Sequence, residues 1–155
     1  MSANVTVKES IWIAAPIEAV WDFTQNYAHR REWDDSILEA EVVQEEPARL
    51  VRIRAAGGVR FTAKYTLFRR PHKTSLAMVG VRSSWVSGGG GSWLYEEKDG
   101  GTLWTQTNTL SIKHPIVYWL LRPVLTWQLR KSTRRSMQKA KALLERRLDR
   151  NLAKV

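Results

Sequence analysis

At 155 residues the chain has the length of one domain, enough for a real core, and its net charge of +10 favours anionic partners or surfaces. It has no cysteines, which excludes a disulfide framework and thiol chemistry and fits a reducing compartment. The N-terminus holds no apolar run long enough for a signal peptide, because Ile11-Trp12-Ile13 is only strand-sized, so a soluble, cytoplasmic protein is expected.

The first element is a strand over residues 5–13. Val5, Val7, Glu9, Ile11 and Ile13 alternate there with Thr6, Lys8, Ser10 and Trp12. Pro16 ends it and opens a helix, with Glu18 in the first turn and Ile17, Val20, Trp21 and Thr24 as the inner stripe. Asn26-Tyr27-Ala28 marks the end of that helix, and a second short helix or turn covers 29–35. Strand-like segments follow at 37–45, 49–55, 59–69, 74–81, 92–98 and 102–112. Gly57-Gly58, Pro71-His72-Lys73 and Asp99-Gly100 supply turns between them, and short turns imply antiparallel neighbours.

His114-Pro115 then opens one long terminal helix running to about Leu152, with the proline where a missing N–H costs nothing. At 1.5 Å per residue such a helix reaches about 50 Å, so the sheet must lie along it. The expected class is α+β: a seven-stranded curved antiparallel sheet wrapped around a long C-terminal helix, with two short helices after the first strand. From 116 to 129 the helix is apolar nearly all round, through Trp119, Leu120, Leu121, Val124, Leu125 and Trp127. Arg122 and Pro123 make this run too short to span a bilayer. It is instead buried, pressed on an anionic membrane surface, or paired as a homodimer through the Trp119–Trp127 region. Pro123 is expected to kink the helix or divide it near Leu121. Beyond 130 the helix is basic and amphipathic. Its inward spacing passes Leu129, Thr133, Ser136, Met137, Ala140 and Leu144. Small residues at the middle of that face leave room for a cavity, and bulky sheet side chains filling the gap are the equal alternative.

Gly88-Gly89-Gly90-Gly91 is not a phosphate loop, since no Lys-Ser/Thr follows and a strand comes next; a strand entry, bulge or close backbone approach explains it. The three histidines lack metal-ligand spacing, so no metal is expected, nor any other cofactor. Asp34 and Asp35 are adjacent on a turn and should point apart, one of them capping the turn or meeting an arginine. Strand alternation groups Tyr65 with Phe61, Ala63 and Leu67, which makes its hydroxyl a weak candidate for a catalytic acid. Trp33 either borders a cavity mouth or packs under the short helices. Charge alone argues for nucleic acid, and the basic helix reads more simply as a solvated face, so nucleic acid is not an expected partner.

The opening Ile11-Trp12-Ile13-Ala14-Ala15-Pro16-Ile17-Glu18-Ala19-Val20-Trp21-Asp22-Phe23 resembles the start of the SRPBCC or START-like superfamily, in its polyketide cyclase/dehydrase-like branch. Trp33 before the second strand, Gly91-Ser92-Trp93-Leu94-Tyr95, Gly100-Gly101-Thr102 and the early proline of the last helix resemble it too. The likeness spans 1–155 as a single domain. It implies a helix-grip fold holding a hydrophobic small molecule, a lipid or an aromatic polyketide-like compound, between sheet and helix. The expected ligand-binding residues are Trp33, Phe61, Tyr65, Met78, Trp93, Thr133, Met137 and Ala140. A cyclase or dehydratase working in the same cavity is the alternative, and no fixed catalytic motif carries over.

Overall fold

The computed structural model describes residues 3–154. In chain order the elements are β1 (Asn4–Ile13), α1 (Ile17–Gln25), α2 (Arg30–Trp33), β2 (Ile37–Gln44), β3 (Leu50–Ala55), β4 (Val59–Arg69), β5 (Lys73–Arg82), β6 (Val86–Lys98), β7 (Gly101–Ile112) and α3 (Pro115–Ala153). The strands form one seven-stranded sheet in the order β1-β7-β6-β5-β4-β3-β2, antiparallel at every pairing. From β2 to β7 the chain is a plain meander, and β1 closes onto β7. Bulges within the β2–β3, β4–β5 and β6–β7 pairings bend the strands. This is the helix-grip architecture.

Alternation decides which strand faces look inward. Val5, Val7 and Ile13 are buried on β1, Val51 and Ile53 on β3, and Ala63 and Tyr65 on β4, while their neighbours along each strand face water. α3 runs beside β1 and over the short α2. Two arginines of α3 hold it there: Glu9 of β1 meets Arg130 at 3.1 Å and Arg134 at 2.8 Å. Further along, the Ala14 N–H donates to Glu145 at 2.9 Å and Lys141 donates to the Trp12 carbonyl at 2.7 Å. Asp35, on the turn after α2, takes Lys139 at 2.7 Å.

Two local expectations need correcting. Pro123 does not divide α3 near Leu121, the second of the two outcomes expected of it. Pro123 and Trp119 both lie on the exposed side, so the Trp119 carbonyl that loses its usual donor is open to water. The glycine run lies inside β6, which begins at Val86 and not at Ser92. Its backbone is crowded from both sides. A Cβ on Gly89, where φ is +153°, would stand 2.3 Å from the Thr109 carbonyl oxygen; one on Gly90 would stand 2.6 Å from that of Leu76. Close approach of neighbouring strands therefore accounts for Gly89 and Gly90.

Gly88 offers the contrast, because a Cβ there meets nothing within 4 Å. Gly89→Ala is expected to cost about 2 kcal/mol or more in chemical denaturation. Gly88→Ala should stay within about 0.5 kcal/mol of the parent. Equal losses for the two would show that crowding is not what selects glycine.

Candidate functional site

The interior divides into a solid half and a hollow half. In the solid half, Met137, Ala140 and Leu144 of α3 pack with Ile13, Trp21, Trp33, Tyr95 and Trp104. Trp33 meets Trp104 at a ring separation of 5.6 Å and Trp93 at 6.1 Å. In the hollow half, the same face of α3 presents Leu129, Thr133 and Ser136 across a gap from the inner face of the sheet. The gap is a cavity of about 240 Å³. Its sheet wall is apolar, through Ile53, Phe61, Ala63, Leu76 and Met78, and Gly91, two residues before the inward Trp93 on β6, brings no side chain into the space.

One end of the cavity is polar. Arg30 and Asp34 sit there, one helical turn apart, with the Arg30 Nε–Asp34 Oδ2 separation at 3.1 Å. Arg30 also donates to the Thr24 carbonyl at 3.0 Å, and its guanidinium lies over the rings of Trp93, Trp33 and Tyr27 at 4.5, 4.7 and 5.0 Å. Burial works against the charge on Arg30, and Tyr27 and Asp34 outweigh it, so its pKa is raised above the ordinary value. Asp34 accepts from the Ser36 hydroxyl at 2.5 Å and the Ser36 N–H at 3.2 Å. The charge of the pair is thus balanced within the wall.

On β7, Gln106 is 3% exposed and faces the cavity. Its Oε1 accepts from Asn108 at 2.9 Å, and its Nε2 has no hydrogen-bond partner among the described residues. Trp33 Nε1 and Trp104 Nε1 are also unpaired, but neither residue lines the cavity. A buried amide donor left unpaired costs free energy unless something in the cavity accepts from it.

Of the residues the sequence put forward, Phe61, Met78, Trp93 and Thr133 come together on the cavity wall. Trp33, Met137 and Ala140 do not line it. They belong to the solid half, where the indole of Trp33 fills the space that small helix residues leave. Tyr65 stands behind the wall. Its hydroxyl pairs with that of Tyr27 at 2.8 Å and donates to Gln25 Oε1 at 3.3 Å. Burial above all, then the Tyr27 hydroxyl, push Tyr65 well above the ordinary tyrosine pKa, so it stays neutral. Gln25 carries the network on to Tyr95 at 2.8 Å, stitching the end of α1 to β4 and β6. Asp34 and Asp35 point apart: Asp34 takes Arg30, and Asp35 takes Lys139. Arg30 and Gln106 were not picked out from the sequence. The i, i+4 spacing of Arg30 and Asp34 around Trp33, and the place of Gln106 on the Trp104 side of β7, are the signals that point to them.

The sequence profile of the family described as "Polyketide cyclase / dehydrase and lipid transport" matches residues 4–145. The chain belongs to this family. No curated protein sequence matches it. Among solved structures, this member of the polyketide cyclase/dehydrase and lipid transport family is similar to the Zhui aromatase/cyclase from Streptomyces sp. R1128, with a TM-score of 0.78 at 15% identity over 94% of this chain and 96% of that one. TTHA0849 from Thermus thermophilus superposes with a TM-score of 0.77 at 17% identity, covering 90% of this chain and 96% of the other. A START superfamily protein from Mycobacterium smegmatis reaches a TM-score of 0.72 at 14% identity, covering 94% and 97%. At these identities the likeness establishes the fold. Among the described residues of this family member, no helix is long and apolar enough to cross a membrane.

Tyr65→Phe should lower stability by about 1 kcal/mol in thermal or chemical melts, because Tyr27 loses its partner. Affinity for any cavity ligand should not change. A tenfold loss of affinity with an unchanged melt would place the Tyr65 hydroxyl at the ligand.

Proposed function

We propose that the protein binds a small, mainly apolar molecule bearing a hydrogen-bond acceptor, in the hollow between the sheet and α3. The unpaired Nε2 of Gln106 in the wall of a mainly apolar hollow carries this reading. A carbonyl or ether oxygen set against it would satisfy the donor. Arg30 is already neutralised by Asp34, so a free carboxylate would meet no uncompensated cation, and a neutral ligand suits the site better. A cavity of about 240 Å³ suits a molecule of one or two rings or a short acyl chain, not a whole diacyl lipid. An aromatic, polyketide-like compound fits this chemistry, and the family description and the aromatase/cyclase fold likeness support that class.

Cyclase or dehydratase chemistry in the same hollow is the second reading, favoured by a hydroxyl and a carboxylate at its polar end. Tyr27 and Asp34, which line the cavity, would then carry it in place of Tyr65.

Native mass spectrometry and thermal shift with a panel of neutral aromatic ketones, their hydrocarbon counterparts and fatty acids test the binding reading. The ketones should bind more tightly than the hydrocarbons. Gln106→Leu should raise the melting temperature of the free protein and weaken ketone binding about tenfold, while leaving the hydrocarbons unaffected. Failure of every compound to bind, or an equal loss for ketone and hydrocarbon, would contradict it.

A further inference from the structure

The first half of α3 presents two opposite faces. One turns inward: Tyr118, Leu125 and Leu129 pack with Val5 and Ile112. The other carries Ile116, Leu120, Val124 and Trp127, spaced i, i+4, i+8 and i+11, so the four form one stripe. These side chains are open to water at 78, 76, 51 and 60%. Trp119, at its flank, is 55% exposed. An apolar stripe this long on the solvent side of a helix is what a partner or a lipid surface covers.

Charge decides between them. From His114 to Leu144 the chain has no Asp or Glu, and Arg122, Arg130, Lys131 and Arg134 follow or flank the stripe. Arg130 and Arg134 share the one carboxylate of Glu9. Arg122 and Lys131 have no acidic partner among the described residues. Lys131 lies over the Trp127 ring at 4.8 Å. Arg122 and Arg130 border a surface depression floored by Pro123, Thr126 and Trp127, where an anionic oxygen would meet two guanidinium groups. A second copy docking on the same face would set these cations against themselves. A surface of lipid phosphates would be attracted to all of them, and tryptophan settles at the headgroup level.

We propose that the outer face of the first half of α3 is a docking surface for an anionic phospholipid bilayer, with the apolar stripe seated among the headgroups and the surrounding basic side chains on lipid phosphates. The helix lies on the membrane and does not cross it. This goes beyond the cavity reading and stands apart from it, because none of the four stripe residues lines the cavity.

The test is co-sedimentation of the full chain with vesicles of phosphatidylcholine alone and of phosphatidylcholine with phosphatidylglycerol, at low and high salt. Binding is expected to the anionic vesicles, weakened by salt, with a blue shift of tryptophan emission. The paired change L120S/W127S should cut binding at least about tenfold. The paired change R122Q/K131Q should cut it by a similar factor and flatten the salt dependence. All four residues are exposed, so both variants should melt like the parent. Three outcomes would overturn the proposal: no protein in the pellet at low salt, equal binding to neutral vesicles, or a lipid-independent dimer abolished by L120S/W127S with no vesicle binding.

Discussion

The distance between α3 and the sheet is set in one place, and the rest of the molecule follows from it. Met137, Ala140 and Leu144 rest on a layer built from Trp33, Trp104 and Tyr95. Those rings are too large to let the helix settle deeper. The ion pairs of Glu9 with Arg130 and Arg134 hold the next stretch of helix over β1. Between these fastenings α3 crosses the sheet at a height fixed by tryptophan, while its own side chains shrink to Thr133 and Ser136. Gly91 brings no side chain in from the opposite side, so the space stays open. The hollow follows from a tall support beside short side chains, and it requires no strain.

The same economy gives the cavity its polarity. The chain enters β2 through a short turn that buries Arg30 with Asp34 at the cavity end. An isolated buried guanidinium would be costly; the carboxylate, the Thr24 carbonyl and three aromatic faces offset that cost. The result is a polar end without net charge. Gln106 lacks such compensation, and the contrast between these two groups gives the hollow its chemical preference.

The fold was legible in the sequence because its signals are local and redundant. Period-two alternation, turn residues and a proline-opened terminal helix each pointed to the same order of elements. The likeness carried by Ala15-Pro16 through Trp21 agreed with them. Strand entry, bulge and close backbone approach read alike in the glycine run, because what decides between them lies in neighbouring strands; the carbonyl oxygens of Leu76 and Thr109, which forbid a side chain, are remote in sequence. The site was legible only in part for the same reason. Alternation and helix spacing report which face a residue uses, and that placed Phe61, Met78, Trp93 and Thr133. They do not report how far along the helix the gap extends. Met137 and Ala140 share a face with Thr133, yet a tryptophan from α2, distant in sequence, fills the space in front of them. Arg30 sits in a run of charged residues that reads as solvent-facing, and only the tertiary packing of three rings around it shows otherwise.

Binding between the sheet and α3 needs an open, accessible space, and methyl-resolved NMR with a small neutral aromatic probe, 1-naphthol, reads that space directly. At saturation the probe should show simultaneous nuclear Overhauser contacts to Met78 and Leu76 on the sheet side and to Leu129 and Thr133 on the helix side. Contacts confined to surface methyls, or none at saturating probe, would mean that the helix and sheet close on each other and that no ligand site lies between them.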